Sequence, residues 1–83
     1  MFLVRFSSHA LFQLHERGLT QAEVRVAVQK PDKRIQQSLH RYRAIRWIRK
    51  RKKRYLLIAI YDVSGTTAEV VTAFLTSKVK KYL

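Results

Sequence analysis

The sequence predicts an α+β domain, with two N-terminal helices forming an αα-hairpin packed on a twisted antiparallel sheet of three or four strands. Three observations predict it. Apolar residues recur at helical spacing before position 30, β-rich runs separated by short turns fill the remainder, and 83 residues with 47% hydrophobic content suffice for a single domain spanning 1–83.

Ser7-Ser8 offers an N-cap, and Ala10, Leu11 and Leu14 then share a helical face. Gly18 stands where a left-handed C-cap residue belongs, which bounds helix 1 at Ser8–Arg17. Leu19 is placed as a hydrophobic staple, and Thr20-Gln21-Ala22-Glu23 reads as a capping box. The helix it opens carries Val24, Ala27 and Val28 on one face, and Pro31 ends it, giving helix 2 at Gln21–Lys30.

The β half begins with a weak strand, Lys33–Gln37, centred on Ile35. Arg41–Arg49 is a stronger one, with Tyr42, Ile45, Trp47 and Ile48 threaded among arginines. Lys50-Arg51-Lys52-Lys53-Arg54 is read as a turn made only of cations. Tyr55–Tyr61 is apolar throughout, as a strand buried on both faces would be. Asp62–Thr66 is a turn, Ala68–Leu75 a further strand, and residues 76–83 a basic tail. Phe2–Phe6 offers an additional edge strand.

Charge is the dominant compositional fact. Eighteen Lys and Arg against five Asp and Glu give +13, and self-repulsion of that size points to an anionic partner, RNA first among them. Without cysteine there is no disulfide, and three histidines alone argue against a structural zinc site. The apolar run at the N-terminus is too short for a signal peptide, and no stretch nears the roughly 18 apolar residues of a membrane span. The expected location is cytoplasmic, without membrane contact.

Twelve of the eighteen cations lie between Lys30 and Arg54. On the strand 41–49, Arg41, Arg43, Ile45, Trp47 and Arg49 share one face, and Tyr42, Ala44, Arg46 and Ile48 the other. Neither set is purely apolar, so the inward face stays open. If Ala44 and Ile48 point inward, Arg46 meets the helices; if Ile45 and Trp47 do, Arg46 is exposed. The candidate RNA contacts are Arg41, Arg43, Arg49, Lys50, Arg51, Lys52, Lys53 and Arg54. Aromatic rings beside arginines suit single-stranded RNA, although Trp47 is weighted towards the core. The five-cation run has no folding rationale of its own.

Five acids with no dyad spacing, no paired-histidine motif and no glycine-rich phosphate loop leave metal-dependent phosphodiester chemistry without ligands, and no cofactor is expected. Histidine and cations can still cleave RNA. A base activates the ribose 2′-hydroxyl, cations stabilise the charged intermediate, and an acid protonates the leaving oxygen. His9, at the start of helix 1 beside the cap, is the leading acid–base candidate. Arg46 and Arg17 are candidates for holding phosphate charge, whereas His15 and His40 read as surface residues.

The run His9-Ala10, Glu16-Arg17-Gly18-Leu19-Thr20, Lys30-Pro31-Asp32, a basic strand, Tyr55–Tyr61, and Val71-Thr72-Ala73-Phe74 with Lys78 and Lys81-Tyr82 resembles a family of small domains that look related to the RelE toxin superfamily. The resemblance implies two N-terminal helices on a twisted antiparallel sheet. It also implies metal-independent cleavage of mRNA, often at the ribosome, and a small acidic antitoxin as partner. His9, Arg17, Thr72 and Lys81 match recurring polar positions of that pattern, whereas the Lys50–Arg54 run lies outside it. The expected function is a RelE-like metal-independent endoribonuclease toxin. The alternatives are a non-catalytic RNA-binding module or degenerate toxin and, more remotely, a DNA-binding protein using the basic hairpin.

Overall fold

The structure, a computed structural model, describes residues 2–83. In chain order the elements are β1 (Leu3–Phe6), α1 (Ser8–Glu16), α2 (Gln21–Gln29), β2 (Lys33–Gln36), β3 (Arg41–Lys50), β4 (Lys53–Ser64), β5 (Thr67–Thr76) and α3 (Val79–Tyr82). The sheet has five strands in the order β1-β5-β4-β3-β2 and is mixed, because β1 pairs with β5 in parallel.

This corrects the expected architecture of two N-terminal helices on a purely antiparallel sheet of three or four strands. The edge strand offered by Phe2–Phe6 forms as β1 ahead of the helices, the sheet has five strands, and most of the fold is sheet. The cause is non-local. Phe6 reaches Val70 in the parallel register, a pairing that no short-range pattern announces. β1 is also only four residues long, with Val4 its single buried side chain.

The helices follow local chemistry. Ser7 caps α1 by accepting from the Ala10 amide at 3.0 Å. Gly18, at φ +67°, closes it as a Schellman motif, with the Gly18 amide donating to His15 and the Leu19 amide to Leu14. Thr20 and Glu23 form the capping box of α2, the Glu23 amide donating to Thr20 Oγ1 at 3.1 Å and the Thr20 amide to Glu23 Oε1 at 2.9 Å. Each helix ends one residue short of the boundary expected from sequence.

α1 lies along β5, and α2 crosses β4 and β3. Ala10, Leu14, Leu19, Val24, Ala27 and Val28 from this hairpin bury against Ala44, Leu57, Ala59, Tyr61, Val70 and Ala73 of the sheet. The opposite face holds a smaller cluster, Ile45, Leu56 and Ile58, over which Ile35, Trp47, Phe74, Val79 and Tyr82 pack. Burial on both sides is why Tyr55–Tyr61 reads as a continuous apolar run. Residues 76–83, read as a tail, instead supply the short helix α3 that covers part of this second face.

The cationic segment is not a five-residue turn. Lys50 ends β3 and pairs with Lys53 in β4, leaving Arg51 and Lys52 as a two-residue loop with φ +52° and +67°. Positive φ at both positions is the type I′ pattern, whose twist matches that of the flanking strands. At the other end of β4 a bulge at Ile60/Tyr61 leaves Val71 without a partner and shifts the pairing of β5 by one residue.

Candidate nucleic-acid interface

β3 decides where the cations go, because alternate residues face opposite sides of the sheet. Tyr42, Ala44 and Ile48 pack under the helices, so Arg46 and Lys50 point the same way. Both are consumed there. Arg46 donates to the Lys30 carbonyl at the C-terminal end of α2, at 2.6 Å. Lys50 donates to the Gly18 carbonyl just beyond α1, at 2.7 Å, and pairs with Glu23 at 2.9 Å. Each cation therefore sits at the negative end of a helix, where the exposed carbonyls lack partners of their own. Burial raises the Glu23 carboxyl, but the hydrogen bond from Lys50, the Thr20 amide and the Lys50 charge outweigh it, and the group lies below its ordinary value.

The other alternating set faces the α3 side. Arg41 donates to both oxygens of Asp62 at 2.8 and 2.9 Å, at the end of β3 remote from the loop. Those hydrogen bonds hold the Asp62 carboxyl below its usual range, and Asp62 in turn raises Arg41. Arg43 lies beneath Tyr82, its guanidinium 5.7 Å from the ring centroid and its Nε buried without a hydrogen-bond partner. Arg54 stacks over Trp47 at 4.2 Å.

Arg49, Arg51, Lys52 and Lys53 differ from all of these. They are exposed, and among the described residues none has a hydrogen-bond or ion-pair partner through its side chain. With Arg54 they make one end of the β3–β4 hairpin a dense positive surface. Of the eight sequence-predicted RNA contacts, this end gathers Arg49, Arg51, Lys52, Lys53 and Arg54. Lys50 turns to the helices, and Arg41 and Arg43 lie further down the strand.

The five catalytic candidates are not brought to one place. Arg17 and Thr72 meet directly, Arg17 Nη1 donating to Thr72 Oγ1 at 3.1 Å and to the Ala73 carbonyl at 2.7 Å. This contact exists because β1 stops pairing at Val70, which leaves the next carbonyls of β5 open to α1. The Thr72 hydroxyl donates to Gln13 Oε1 at 2.5 Å. His9, Gln13 and Arg17 are spaced four residues apart and so form one stripe of the helix, with His9 exposed one turn before Gln13. Arg46 is instead a helix-end ligand, and Lys81 lies on α3, over the opposite face of the sheet.

Gln13 was missed from the sequence, although its spacing to His9 and Arg17 was a visible signal. The contact of Arg54 with Trp47 was also missed, since it depends on strand register. Among the described residues, no three His, Cys, Asp or Glu side chains gather as a metal cage requires, and no helix is long and apolar enough to cross a membrane.

A family model described as a domain of unknown function (DUF4258) matches residues 6–81. No curated protein and no solved structure matches the chain.

Proposed function

The chain belongs to the DUF4258 family of domains of unknown function, and for this member we propose RNA binding coupled to metal-independent endoribonuclease activity of the RelE-like toxin type. The observation that carries the reading is the unpaired cationic end of the β3–β4 hairpin in a chain of net charge +13. Arg49, Arg51, Lys52 and Lys53 form no internal contacts that explain them, while a phosphate backbone would neutralise all four.

Cleavage is assigned to the polar stripe on α1. His9 removes the proton of the ribose 2′-hydroxyl, the 2′-oxygen attacks phosphorus as the P–O5′ bond breaks, and the departing 5′-oxygen takes a proton from solvent water. A 2′,3′-cyclic phosphate results. The Arg17 guanidinium, oriented by Thr72 and the Ala73 carbonyl, stabilises the charge that develops on the phosphoryl oxygens. Arg46 and Lys81 have no part in this step. The toxin reading brings with it mRNA as substrate, at or away from the ribosome, and a small acidic antitoxin as the neutralising partner in the cytoplasm.

The test is cleavage of a labelled mRNA in EDTA, with and without ribosomes, resolved by product ends. Cyclic-phosphate termini that fall about 100-fold in His9→Ala and in Arg17→Ala support the assignment. Intact RNA in both conditions, with binding retained, overturns it in favour of a non-catalytic RNA-binding protein. One observation favours that second reading: Arg17 and Thr72 already satisfy each other, Gln13 and the β5 edge within the fold.

A further inference from the structure

We propose that Trp47 is a stacking site for one nucleobase of a single-stranded nucleic acid, occupied by the Arg54 guanidinium when no strand is bound. The inference rests on the RNA-binding reading above and adds to it the chemical form of the ligand and the point at which a base is held.

Trp47 stands on the α3 side of the sheet, with one part of its ring packed on the buried cluster of Ile45, Leu56 and Ile58. It is half-buried, so the indole is fixed by the core while part of it stays open. What covers the open part is a planar cation, Arg54, 4.2 Å from the ring centroid. Arg54 directly opposes Arg49 across the strand pair, and it reaches Trp47 on the diagonal, because Trp47 itself opposes Leu56. Two guanidinium groups directly opposite one another repel, and Arg54 is exposed and forms no hydrogen bond among the described residues. Nothing but the indole face holds it in place.

A guanidinium on an indole marks a surface that accepts a flat π partner. A nucleobase is such a partner and stacks on tryptophan with little dependence on sequence. When a base displaces Arg54, the freed cation lies beside Arg49 at the position of the adjoining phosphate, so the exchange relieves the opposed charges as well as filling the ring face. A shallow groove of about 440 Å³ lined by Trp47, Ile48, Arg49 and Arg54 opens at this spot. The unpaired loop cations Arg51 and Lys52 continue the positive surface from there, so a strand anchored at Trp47 has a path for its backbone. A duplex hides its base faces by stacking and offers only phosphates to the same surface.

Trp47 is the chain's single tryptophan, which makes its emission a direct reporter. The full chain would be titrated with a 2′-O-methyl oligouridylate, which lacks the attacking hydroxyl and cannot be cut, with inorganic polyphosphate, and with a 2′-O-methyl duplex. Quenching of Trp47 emission by the single strand, with neither polyphosphate nor duplex quenching it, is the expected result. Trp47→Ala is expected to weaken oligouridylate binding about 5- to 150-fold while leaving polyphosphate affinity unchanged. Trp47→Tyr retains a stacking ring and is expected to recover most of the affinity, which separates stacking from damage to the fold. Equal affinity of the parent and Trp47→Ala for the single strand, or absence of quenching when it binds, overturns the stacking site and leaves polyanion binding standing. Failure of all three ligands to bind overturns the stacking site together with the RNA-binding reading.

Discussion

The two faces of the sheet use the same residue types in opposite ways. Under the αα-hairpin, the cations of β3 are structural: Arg46 and Lys50 both donate to carbonyls at helix ends, and Lys50 also meets Glu23. On the α3 side, Arg49 and Arg54 of the same hairpin meet no carboxylate, and Arg54 rests on an aromatic ring. Helix termini supply negative potential and unpartnered acceptors, so a cation facing them has a use inside the protein. The other face is only partly covered, by a four-residue helix, and although Arg41 meets Asp62 at the far end of β3, the loop end offers Arg49 and Arg54 no internal acceptor. Near the loop, alternation along β3 therefore separates Arg46 and Lys50, which hold the fold, from Arg49, which is left for a ligand.

Substitution of neighbours on β3 gives the sharpest contrast. Lys50→Ala is expected to destabilise by about 1–2 kcal/mol, because it leaves Glu23 and the Gly18 carbonyl without their donor, and to alter RNA affinity less than Arg49→Ala does. Arg49→Ala is expected to leave stability within about 0.5 kcal/mol. Denaturant melts read both. Acid should reveal the same difference. The folded-state Glu23 carboxyl lies below its ordinary value, so its contribution is complete above the unfolded-state value near 4.5 and is lost as pH falls through the folded one. The Lys50→Ala variant should lose less stability than the parent between pH 6 and pH 3. An equal acid response in the two proteins would show that Lys50 does not hold that carboxylate.

Replacing the loop with Asn-Gly, as Arg51→Asn with Lys52→Gly, separates folding from binding in a single variant. Both residues occupy left-handed backbone, which Asn and Gly adopt with less strain than Arg and Lys. Stability should rise by about 1 kcal/mol. RNA binding should weaken, and the slope of log affinity against log salt should fall by about 1.4, at about 0.7 for each lost phosphate contact. An unchanged slope would place the bound strand elsewhere on the molecule.

Much of the local structure was legible. The caps at Ser7 and Thr20, the stop at Gly18 and the apolar run in β4 each announce themselves within a few residues. What stayed hidden depends on distant partners. Phe2–Phe6 reads as an edge strand, but the parallel pairing of β1 with β5, more than sixty residues away, has no local signature. The loop looked longer than it is because charge does not mark strand ends; only the register, Lys50 opposite Lys53, does. The inward face of β3 could not be chosen from sequence because Arg46 points under the helices only by reaching the Lys30 carbonyl where α2 ends, and that placement is tertiary. For the same reason the separation of Arg46 and Lys81 from His9, Arg17 and Thr72 was not legible, whereas Gln13 carried a local signal in its four-residue spacing to His9 and Arg17.

The smallest expected effect probes the helix-covered face. Tyr61 is fully buried and stacks on Tyr42 with centroids 5.8 Å apart, yet its hydroxyl has no hydrogen-bond partner among the described residues. Burial of an unpaired hydroxyl is unfavourable, while the ring contributes packing on both sides. Tyr61→Phe retains the ring and removes only the oxygen, so stability should be unchanged or rise by a few tenths of a kcal/mol. A buried tyrosine with a satisfied hydroxyl would instead lose about 1 kcal/mol on the same change. The sign of this small difference tests whether the helix-covered face is held by apolar packing alone, with its polar contacts confined to the rim where Arg46 and Lys50 grip the helices. A loss near 1 kcal/mol would mean that a hydrogen bond also operates in the centre of that core.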